Sequence, residues 1–449
     1  MRKSLRFSPV ALLVLAACSG GPESGGGATN APATSGAATP VATSARVTHL
    51  LPRGGESTAS IQTLPNAVCT LRATPGAAEY LTVFADDDGI ARLHLQQVDL
   101  TVDHGELALE CVDDAGTHLT HTIDVQVDDA AVAQAPAPYL KAGKPTLPVL
   151  DVDPMSIDGE EILARGYPPR PDPNQSPAQY ASWLGLVASG ATKIAPHLVV
   201  DPSREHGPAR ITRTDDGTGN SNNWSGYVIT TGATASKYAW IYGEWNVPRA
   251  YAESGFASSD HSTMWVGIDG WGTPDVVQDG TDQDTLTAFW IQTSSYDAWT
   301  EWYPLSSQSI SNFPVNPGDD LHVWTWTLNS AGQYSATATV GWFYLWNATQ
   351  NVYSYTSTTA PSGTTFNGHT AEWVMERPTV NGSVATLAQY TSPTTLANAL
   401  AYDLNGAAHY YTSDNSTQVS MVNSSTNHVL STVKPVSSES MAFTWVNHQ

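Results

Sequence analysis

The chain has 449 residues, a length that predicts more than one domain. Its 42 acidic residues against 19 basic ones give a formal net charge of −23, which argues against nucleic acid or an anionic membrane surface as a partner. Because Lys and Arg are scarce, the protein carries little positive charge once its carboxylates are protonated. Repulsion between its own charges is then weak at low pH, and this composition suits a protein that functions in acid.

The N-terminus has the features of an export signal. Basic residues at positions 2, 3 and 6 precede a short apolar stretch, 10–15, that is too brief to span a bilayer stably. The sequence Leu-Ala-Ala-Cys ending at Cys18 resembles a bacterial lipobox, which implies cleavage before Cys18 and acylation of its thiol. The protein would then be held at the outer membrane of a bacterial cell envelope, or released from it, with the lipid anchor as its only membrane contact. A plain secretory signal followed by an unlipidated cysteine is the alternative.

Two regions follow the signal. Residues 19–45 are rich in Gly, Ser, Ala, Thr and Pro and predict a flexible linker. Residues 46–131 predict a small all-β domain, in which Glu79–Ala85 and Ile90–Gln96 form a hairpin around Asp-Asp-Asp-Gly. A second hairpin is expected around Asp113-Asp114-Ala115-Gly116.

Two cysteines, Cys69 and Cys111, lie in strand-like stretches of this small domain. In an oxidising compartment such a pair most simply forms a disulfide, and we expect it to join two sheets. Neither Cys-x-x-Cys nor a Cys/His ligand spacing is present, so a structural zinc site has no support.

Residues 132–213 predict a propeptide-like linker with one helix. Ser176 is the expected N-cap, with Gln179 completing a capping box, and Gly190 ends the helix. The expected apolar stripe consists of Tyr180, Trp183, Leu184 and Val187. This helix either covers a cleft as part of a propeptide or simply packs on a neighbouring domain.

Residues 214–449 differ in composition from the rest. They contain almost all of the 15 Trp, and many strand-like stretches separated by Gly, Asn, Ser and Pro. The pattern predicts a large β-sandwich, so the fold class is all-β. No Gly-x-Ser-x-Gly, Asp-Thr-Gly, Asp-Ser-Gly or His-Glu-x-x-His motif is present, and a calcium loop lacks the required spacing. A Ser-His-Asp triad assembled only in three dimensions is disfavoured but stays open.

Polar side chains recur with a period of two in these strands, which places them on common faces. The alternation puts Asp297, Trp299, Glu301 and Tyr303 on one face of a strand. It likewise groups Glu372 with Val374 and Glu376, Trp265 with Gly267 and Asp269, and Gln278 with Asp282. Carboxylates interleaved with aromatic side chains are typical of a substrate-binding surface.

Four motifs resemble the glutamic peptidase, or eqolisin, family in order and spacing. They are WVGIDG at 265–270, Val277-Gln278 with Gly280 and Asp282, YDAWTEWYP at 296–304 and AEWVME at 371–376. The resemblance covers roughly residues 220–449. It implies a concanavalin-like sandwich of two antiparallel sheets with a catalytic pair, Glu372 and Gln278. It also implies the following positions near the site or its subsites: Trp265, Asp269, Asp282, Asp297, Trp299 and Glu301.

The implied chemistry is acid endopeptidase activity on polypeptide substrates, with no metal and no other cofactor. A glutamate among tryptophans and other carboxylates should have a raised pKa, and it can serve in turn as base and acid. A neutral amide such as that of Gln278 can hold the water and donate to the developing oxyanion. A carbohydrate-binding module or lectin, and a glycosidase with two carboxylates, are the rival functions. Nothing in the sequence sets the oligomeric state, and a monomer is the expectation.

Overall fold

The computed structural model describes residues 43–141, 143–215, 217–231, 236–252, 257–288, 290–364, 366–412 and 415–449. The predicted signal segment, Cys18 and most of the predicted linker lie outside these residues. Within the described ranges, no helix combines the length and the apolar character needed to cross a bilayer.

The N-terminal part is built from seven strands. They are β1 (Thr43–Pro52), β2 (Glu56–Gln62), β3 (Val68–Arg72), β4 (Leu81–Phe84), β5 (Ile90–Gln97), β6 (His104–Val112) and β7 (His118–Asp128). Five of them form one sheet in the order β1-β7-β6-β3-β4, whereas β2 and β5 pair with each other. Alternate residues of these strands are buried between the two layers, as in the pattern of β5.

Two sequence expectations for this part are wrong. The turn after β4 forms, and Asp86 accepts hydrogen bonds from the backbone N–H groups of Asp88 and Ile90. However, β4 and β5 then diverge into different sheets and share only an isolated bridge, so they are not a regular hairpin. The disulfide between Cys69 and Cys111 is present, but it joins directly opposed residues of neighbouring strands within one sheet. Strand alternation alone does not tell which sheet a strand enters.

The connecting part holds a 3-10 turn, two α-helices and short strands. Their bounds are η1 (Pro154–Ser156), α1 (Gly159–Ala164), α2 (Pro177–Ser189), β8 (Thr192–Lys193), β9 (Leu198–Val200) and β10 (Arg204–Glu205). Helix α2 begins and ends where the sequence predicts, with Gly190 in the left-handed region.

The predicted capping box and apolar stripe of α2 are wrong in detail. The Ser176 hydroxyl makes no cap bond and instead contacts Tyr402, while the Gln179 amide donates to Glu439. The fully buried apolar side chains of the helix are Trp183 and Leu186, whereas Leu184 is 37% exposed. The buried face of α2 differs from the predicted stripe because the helix packs on large aromatic side chains of the next domain, and this contact decides which of its residues are buried.

The C-terminal domain is a sandwich of two antiparallel sheets. The front sheet has the order β18-β17-β16-β23-β13-β29-β12-β11, antiparallel except between β29 and β12, and the back sheet has the order β22-β21-β20-β14-β27. The front-sheet strands are β11 (Ile211–Asp215), β12 (Thr218–Ser221), β13 (Trp224–Thr230), β16 (Ala257–Ile268), β17 (Val276–Ala288), β18 (Ile291–Tyr303), β23 (Thr370–Glu376) and β29 (Ser416–Val422). The back-sheet strands are β14 (Tyr238–Asn246), β20 (Asp320–Leu328), β21 (Val340–Asn347), β22 (Val352–Thr359) and β27 (Thr394–Asp403).

The remaining strands connect or extend these sheets. Strands β30 (Val429–Pro435) and β31 (Met441–Trp445) link β29 to β27. The short ones are β15 (Ala250–Tyr251), β19 (Gln308–Ile310), β24 (Thr379–Val380), β25 (Ser383–Val384), β26 (Gln389–Tyr390) and β28 (Ala408–His409). The predicted all-β sandwich is therefore confirmed.

The main core lies between the two sheets. Val266 and Ile268 of β16, Trp302 of β18 and Trp373 of β23 all point into it. Because strand side chains alternate, the residues between these positions face the other side of the front sheet. That other side carries a separate aromatic cluster and most of the predicted site residues.

The hairpin of β17 and β18 reaches beyond the sandwich. Each strand has 13 residues, and the far end enters the core of the N-terminal part through Leu286, Trp290 and Ile291. Strand β5 also pairs with β18 at this end, so β2 and β5 extend the front sheet. The second layer of the small N-terminal sandwich is thus completed by the C-terminal domain.

Candidate active site

Gln278 and Glu372 lie on the same face of the front sheet, on either side of β16. Gly267 of β16 is directly opposed to Gln278 of β17 and to Glu372 of β23. Opposed residues of adjacent strands point to the same face, and two strand spacings separate the two backbones by about 10 Å. Both side chains can therefore reach toward the space above Gly267.

Gly267 has no side chain, and the edge of the Trp265 ring lies above it. A Cβ at this position would lie 2.9 Å from the ring of Trp265 and 3.0 Å from Cβ of Gln278. Such distances are below ordinary carbon contact. The row Gln278–Gly267–Glu372 is thus a polar pair spaced by a glycine, with the ring of Trp265 at its side.

The two glutamates of β23 have different surroundings. Glu376 accepts hydrogen bonds from Trp265 Nε1 at 2.8 Å and from Asn223 Nδ2 at 3.2 Å. Neither carboxylate oxygen of Glu372, although fully buried, has a hydrogen-bond partner of normal geometry among the described residues. Burial raises the pKa of both carboxyls well above the ordinary value. Glu376 is therefore held by side-chain donors at hydrogen-bonding distance, whereas the oxygens of Glu372, in the row of Gln278, have no such donor among the described residues.

The predicted alternation is confirmed along the neighbouring strands. Trp265 and Trp299 flank Gly280 in the next row, and Asp282 is opposed to Asp297 in the row after that. Glu301 is opposed to Gln278. Trp265 and Trp299 belong to the aromatic cluster on this face and not to the core between the sheets.

The carboxyls of this face crowd one another in a dry environment. Burial raises the pKa of Asp282 to about 6, against the attraction of Arg204. Burial also raises the pKa values of Asp297 and Glu301 well above their ordinary range. The face is therefore a surface of carboxyl groups that favour their protonated form.

Asp269 has a different position from the other predicted residues. It follows the end of β16 with a positive φ of 71°, so it leaves the strand alternation. Its carboxylate accepts backbone N–H groups from Asn367, Gly368 and His369. Burial raises its pKa to about 7. Asp269 thus anchors the segment that leads into β23 and Glu372.

A segment of the connecting part covers this face. We call residues 201–210 the strap. The backbone N–H of His206 donates to Glu301 at 2.9 Å, and the Gln278 side-chain amide donates to the carbonyl oxygen of His206. The imidazole of His206 stacks on Trp299, with ring centroids 3.6 Å apart and planes 6° from parallel. Burial lowers the pKa of His206 well below its ordinary value, and the charge of Arg204 adds to this.

Arg204 fixes the N-terminal side of the strap. Its buried guanidinium forms ion pairs with Asp282 and Asp284, and Asp284 also contacts His261 at 2.8 Å. On the other side, Ala209 N–H donates to the carbonyl of Gly270 at 3.0 Å. From these contacts the strap runs antiparallel to β17, from Asp284 toward the loop before that strand.

Sequence reasoning missed Arg204, His206 and Asp284 as parts of this face. Asp284 continues the period of two from Gln278 and Asp282, so the alternation could have included it. Arg204 and His206 lie in the strap, a short segment that follows no periodic pattern and binds the face by tertiary contacts. No sequence pattern therefore indicates them. Within the described ranges, no three or more His, Cys, Asp and Glu side chains are grouped so as to hold a metal ion.

The arrangement can polarise a carbonyl group and position a water molecule. The amide of Gln278 already donates to a peptide carbonyl, that of His206. Glu372 lies across Gly267, and a carboxyl group in this position is within the row where it can exchange a proton with such a water molecule.

Residues 222–445 match the profile of the peptidase A4 family. This domain belongs to the peptidase A4 family. The family inferred from the four motifs is thereby confirmed. We call residues 222–445 the A4 domain.

Two fungal relatives align with parts of the A4 domain. Scytalidopepsin B of Scytalidium lignicola is 33% identical over 120 residues, which are 26% of this chain and 39% of the relative. Aspergillopepsin-2 of Aspergillus niger is 29% identical over 203 residues, which are 39% of this chain and 62% of the relative. The chain therefore covers less than two thirds of either relative.

A solved structure of scytalido-glutamic peptidase with a peptide-based transition state analog is also similar. It covers 50% of this chain and 98% of its own length, with 22% identity and a TM-score of 0.40.

Proposed function

We propose that the protein is an acid endopeptidase that hydrolyses peptide bonds in polypeptides through Glu372 and Gln278. Once the strap has left and water solvates Glu372, its ionised carboxylate takes a proton from a water molecule, and the water oxygen attacks the carbonyl carbon. Gln278 donates an N–H to the carbonyl oxygen as negative charge develops there. Glu372 then gives the proton to the leaving nitrogen, so the C–N bond breaks and a carboxyl group and an amine are released.

The working range should be acidic because of the carboxyls around the pair. At neutral pH, ionisation of Asp282, Asp297 and Glu301 would place several like charges on one buried face. In acid most of them are protonated, and the face can accept a peptide. Trp265 and Trp299 supply the apolar walls that keep bulk water away from the reacting bond.

One observation carries the proposal: the strap lies on the face as a peptide, with its His206 carbonyl bonded to Gln278. The same amide contact is the one that a substrate carbonyl needs. This observation favours a peptide ligand over a glycan, for which the strap offers no analogue. It also favours Glu372 over Glu376, because Glu372 shares the row of Gln278 and Glu376 is two rows away.

The test is digestion of a denatured protein across pH ~2–8, the range in which these carboxyls titrate, by the wild type, Glu372→Gln and Gln278→Ala. We expect acid cleavage by the wild type and a loss of at least about 100-fold in kcat/KM in both variants. The matched control is Asp279→Asn, next to Gln278 but facing the core on the other side of the sheet, where Thr325 donates to it. It should cleave as the wild type does.

Two results would contradict the proposal. Undiminished cleavage by Glu372→Gln would mean that another residue carries out the proton transfer. If wild-type protein from which the strap has been removed shows no cleavage, the result favours a carbohydrate-binding sandwich. A glycan array would then be the next measurement.

We also propose that the protein is made as an inactive precursor. Residues 201–210 cover the cleft, and the His206–Gly207 bond has its carbonyl at Gln278, where the reacting bond of a substrate would lie. The eight Lys and Arg of residues 132–213 add attraction to the acidic A4 domain. Helix α2 takes no part in this cover, since it packs on the back sheet. Sequencing the N-terminus of the active form near pH 4 should give Gly207 or a later residue, and an active form that still begins near Cys18 would contradict the precursor.

A further inference from the structure

The N-terminal region, defined as residues 43–200, contacts the A4 domain far beyond the strap. Three of its strands continue A4 sheets: β5 pairs with β18 from His94 to Gln97, β9 pairs with β19, and β8 pairs with β22. Such strand addition satisfies backbone groups of both partners and is a common way for one chain to hold another. These pairings lie on both sheets of the sandwich.

The two parts also share a core. Trp290 and Ile291, at the tip of the β17–β18 hairpin, are buried among the N-terminal leucines Leu95, Leu107 and Leu109. Trp290 packs directly on the backbone at Gly105, where a Cβ would lie 2.5 Å from its Nε1. Burial of such apolar side chains favours the contact between the two parts.

A second apolar contact lies on the back sheet. Trp183 and Leu186 of helix α2 are fully buried against a cluster that includes Trp324 and Tyr344. Polar contacts surround it, among them Lys193 Nζ to the Tyr355 hydroxyl at 3.0 Å. The two apolar contacts and the strand pairings are independent of one another.

The covalent connection, by contrast, is exposed. All residues of β11, Ile211–Asp215, are exposed, and this strand pairs with β12 of the C-terminal domain. A cut in this segment, or at the strap, therefore removes none of the contacts between the N-terminal region and the A4 domain.

We infer that the N-terminal region stays bound to the A4 domain after the connecting segment is cut. The cleaved protein is then a complex of two chains, in which the N-terminal chain is a lasting partner and not a released propeptide. The inference concerns the partner of the A4 domain and does not depend on its chemistry.

The experiment cuts the full chain without using its own activity. A recognition sequence for a site-specific protease is inserted between Arg213 and Thr214 in the Glu372→Gln variant, and cutting is followed on a denaturing gel. We expect the two fragments to elute together in native size-exclusion chromatography, in a 1:1 ratio and at the volume of the uncut protein. Separate elution of the fragments would overturn the inference.

A matched pair of variants tests the contacts themselves. Trp290→Ala removes the shared-core side chain, and we expect at least a tenfold faster exchange of the cut N-terminal fragment against a labelled copy. Leu184→Ala changes a 37% exposed side chain of helix α2 and should leave the exchange rate unchanged. Equal exchange in both variants would contradict the assigned interface. The elution of the cut parent protein decides the inference even where a variant folds poorly.

Discussion

Gln278 and Glu372 are both directly opposed to Gly267, one on each neighbouring strand. Strand β16 therefore sets the distance between the two functional groups, and its glycine makes room for the edge of the Trp265 ring beside Gln278. In strands, glycine is unfavourable unless a close approach needs it. Its presence near the end of β16 is explained by that need.

Gly267→Ala should lower activity much more than stability. The added Cβ would lie 2.9 Å from the Trp265 ring and 3.0 Å from Cβ of Gln278, and it would displace the ring and the glutamine. We expect kcat/KM to fall by at least about 100-fold, as for a small misplacement of reacting groups. Gly185→Ala is the control, since its Cβ would meet only ordinary contact at 3.8 Å. Activity of Gly267→Ala within threefold of the wild type would refute the assigned role.

Arg204→Ala should speed the opening of the cleft. The substitution leaves Asp282 without its ion-pair partner and Asp284 with only His261 while the strap is closed, and losing one partner of a buried ion pair costs about 3–5 kcal/mol. Acid activation of the full chain, followed by hydrolysis of a fluorogenic peptide, should therefore show a lag at least tenfold shorter. Glu205→Ala, at the exposed neighbouring position, should keep the wild-type lag. An unchanged lag in Arg204→Ala would mean that the strap is not held by these pairs.

Protein stability should increase as the pH falls from 7 toward 4. The folded-state pKa values of Asp269 and Asp282 are raised to about 7 and about 6 by burial, and that of Asp279 is raised well above its ordinary value. A raised carboxyl pKa stabilises the fold fully below the unfolded value of about 4, and this contribution is lost as the pH rises through the folded value. Burial lowers the pKa of four histidines, His49, His94, His121 and His206, and these oppose the trend below pH about 6.5. The carboxyls with raised pKa outnumber them. Asp284 and Glu244, whose pKa values are lowered, destabilise the fold only at still lower pH.

Asp279→Asn isolates this effect at one position. Asp279 is fully buried between the sheets, so the substitution should raise the free energy of unfolding at pH 7 and change it little at pH 4. Thermal unfolding of both proteins at the two pH values measures it. A stabilisation that is the same at pH 4 and pH 7 would exclude titration of Asp279 as its cause.

Removal of the disulfide should destabilise the N-terminal part selectively. Cys69 and Cys111 are 42 residues apart, and closing a loop of that length lowers the entropy of the unfolded chain by an amount worth about 4 kcal/mol. We expect a double Ala variant to show an early thermal transition, with exposure of the tip around Trp290 detected by its fluorescence. A single transition at the wild-type temperature would show that the N-terminal core does not need the bridge.

The sequence predicted the faces of the strands better than their partners. The period of two placed Gln278, Asp282, Trp299 and Glu301 correctly, because side-chain alternation is a local property of any strand. It could not tell that Gly267 would stand between the pair, because register depends on tertiary packing. For the same reason the bridge between Cys69 and Cys111 was expected between sheets and lies within one.

Other features had no local signal at all. The buried face of helix α2 includes Leu186, which the predicted stripe omitted, because the aromatic surface beneath it decides the rotation of the helix. The role of Arg204 and His206 depends on a segment without periodic pattern that reaches carboxyls about 80 to 95 residues further along the chain.

The β17–β18 hairpin has a practical consequence for producing this protein. One end of the hairpin carries Gln278 and Glu301, and the other end carries Leu286, Trp290 and Ile291, which are buried only because the N-terminal region surrounds them. An expression clone begun at residue 214 would present these apolar side chains to solvent on two long strands, a feature associated with aggregation. Soluble recombinant enzyme should therefore be sought by co-expressing both halves rather than by trimming the gene to the A4 domain.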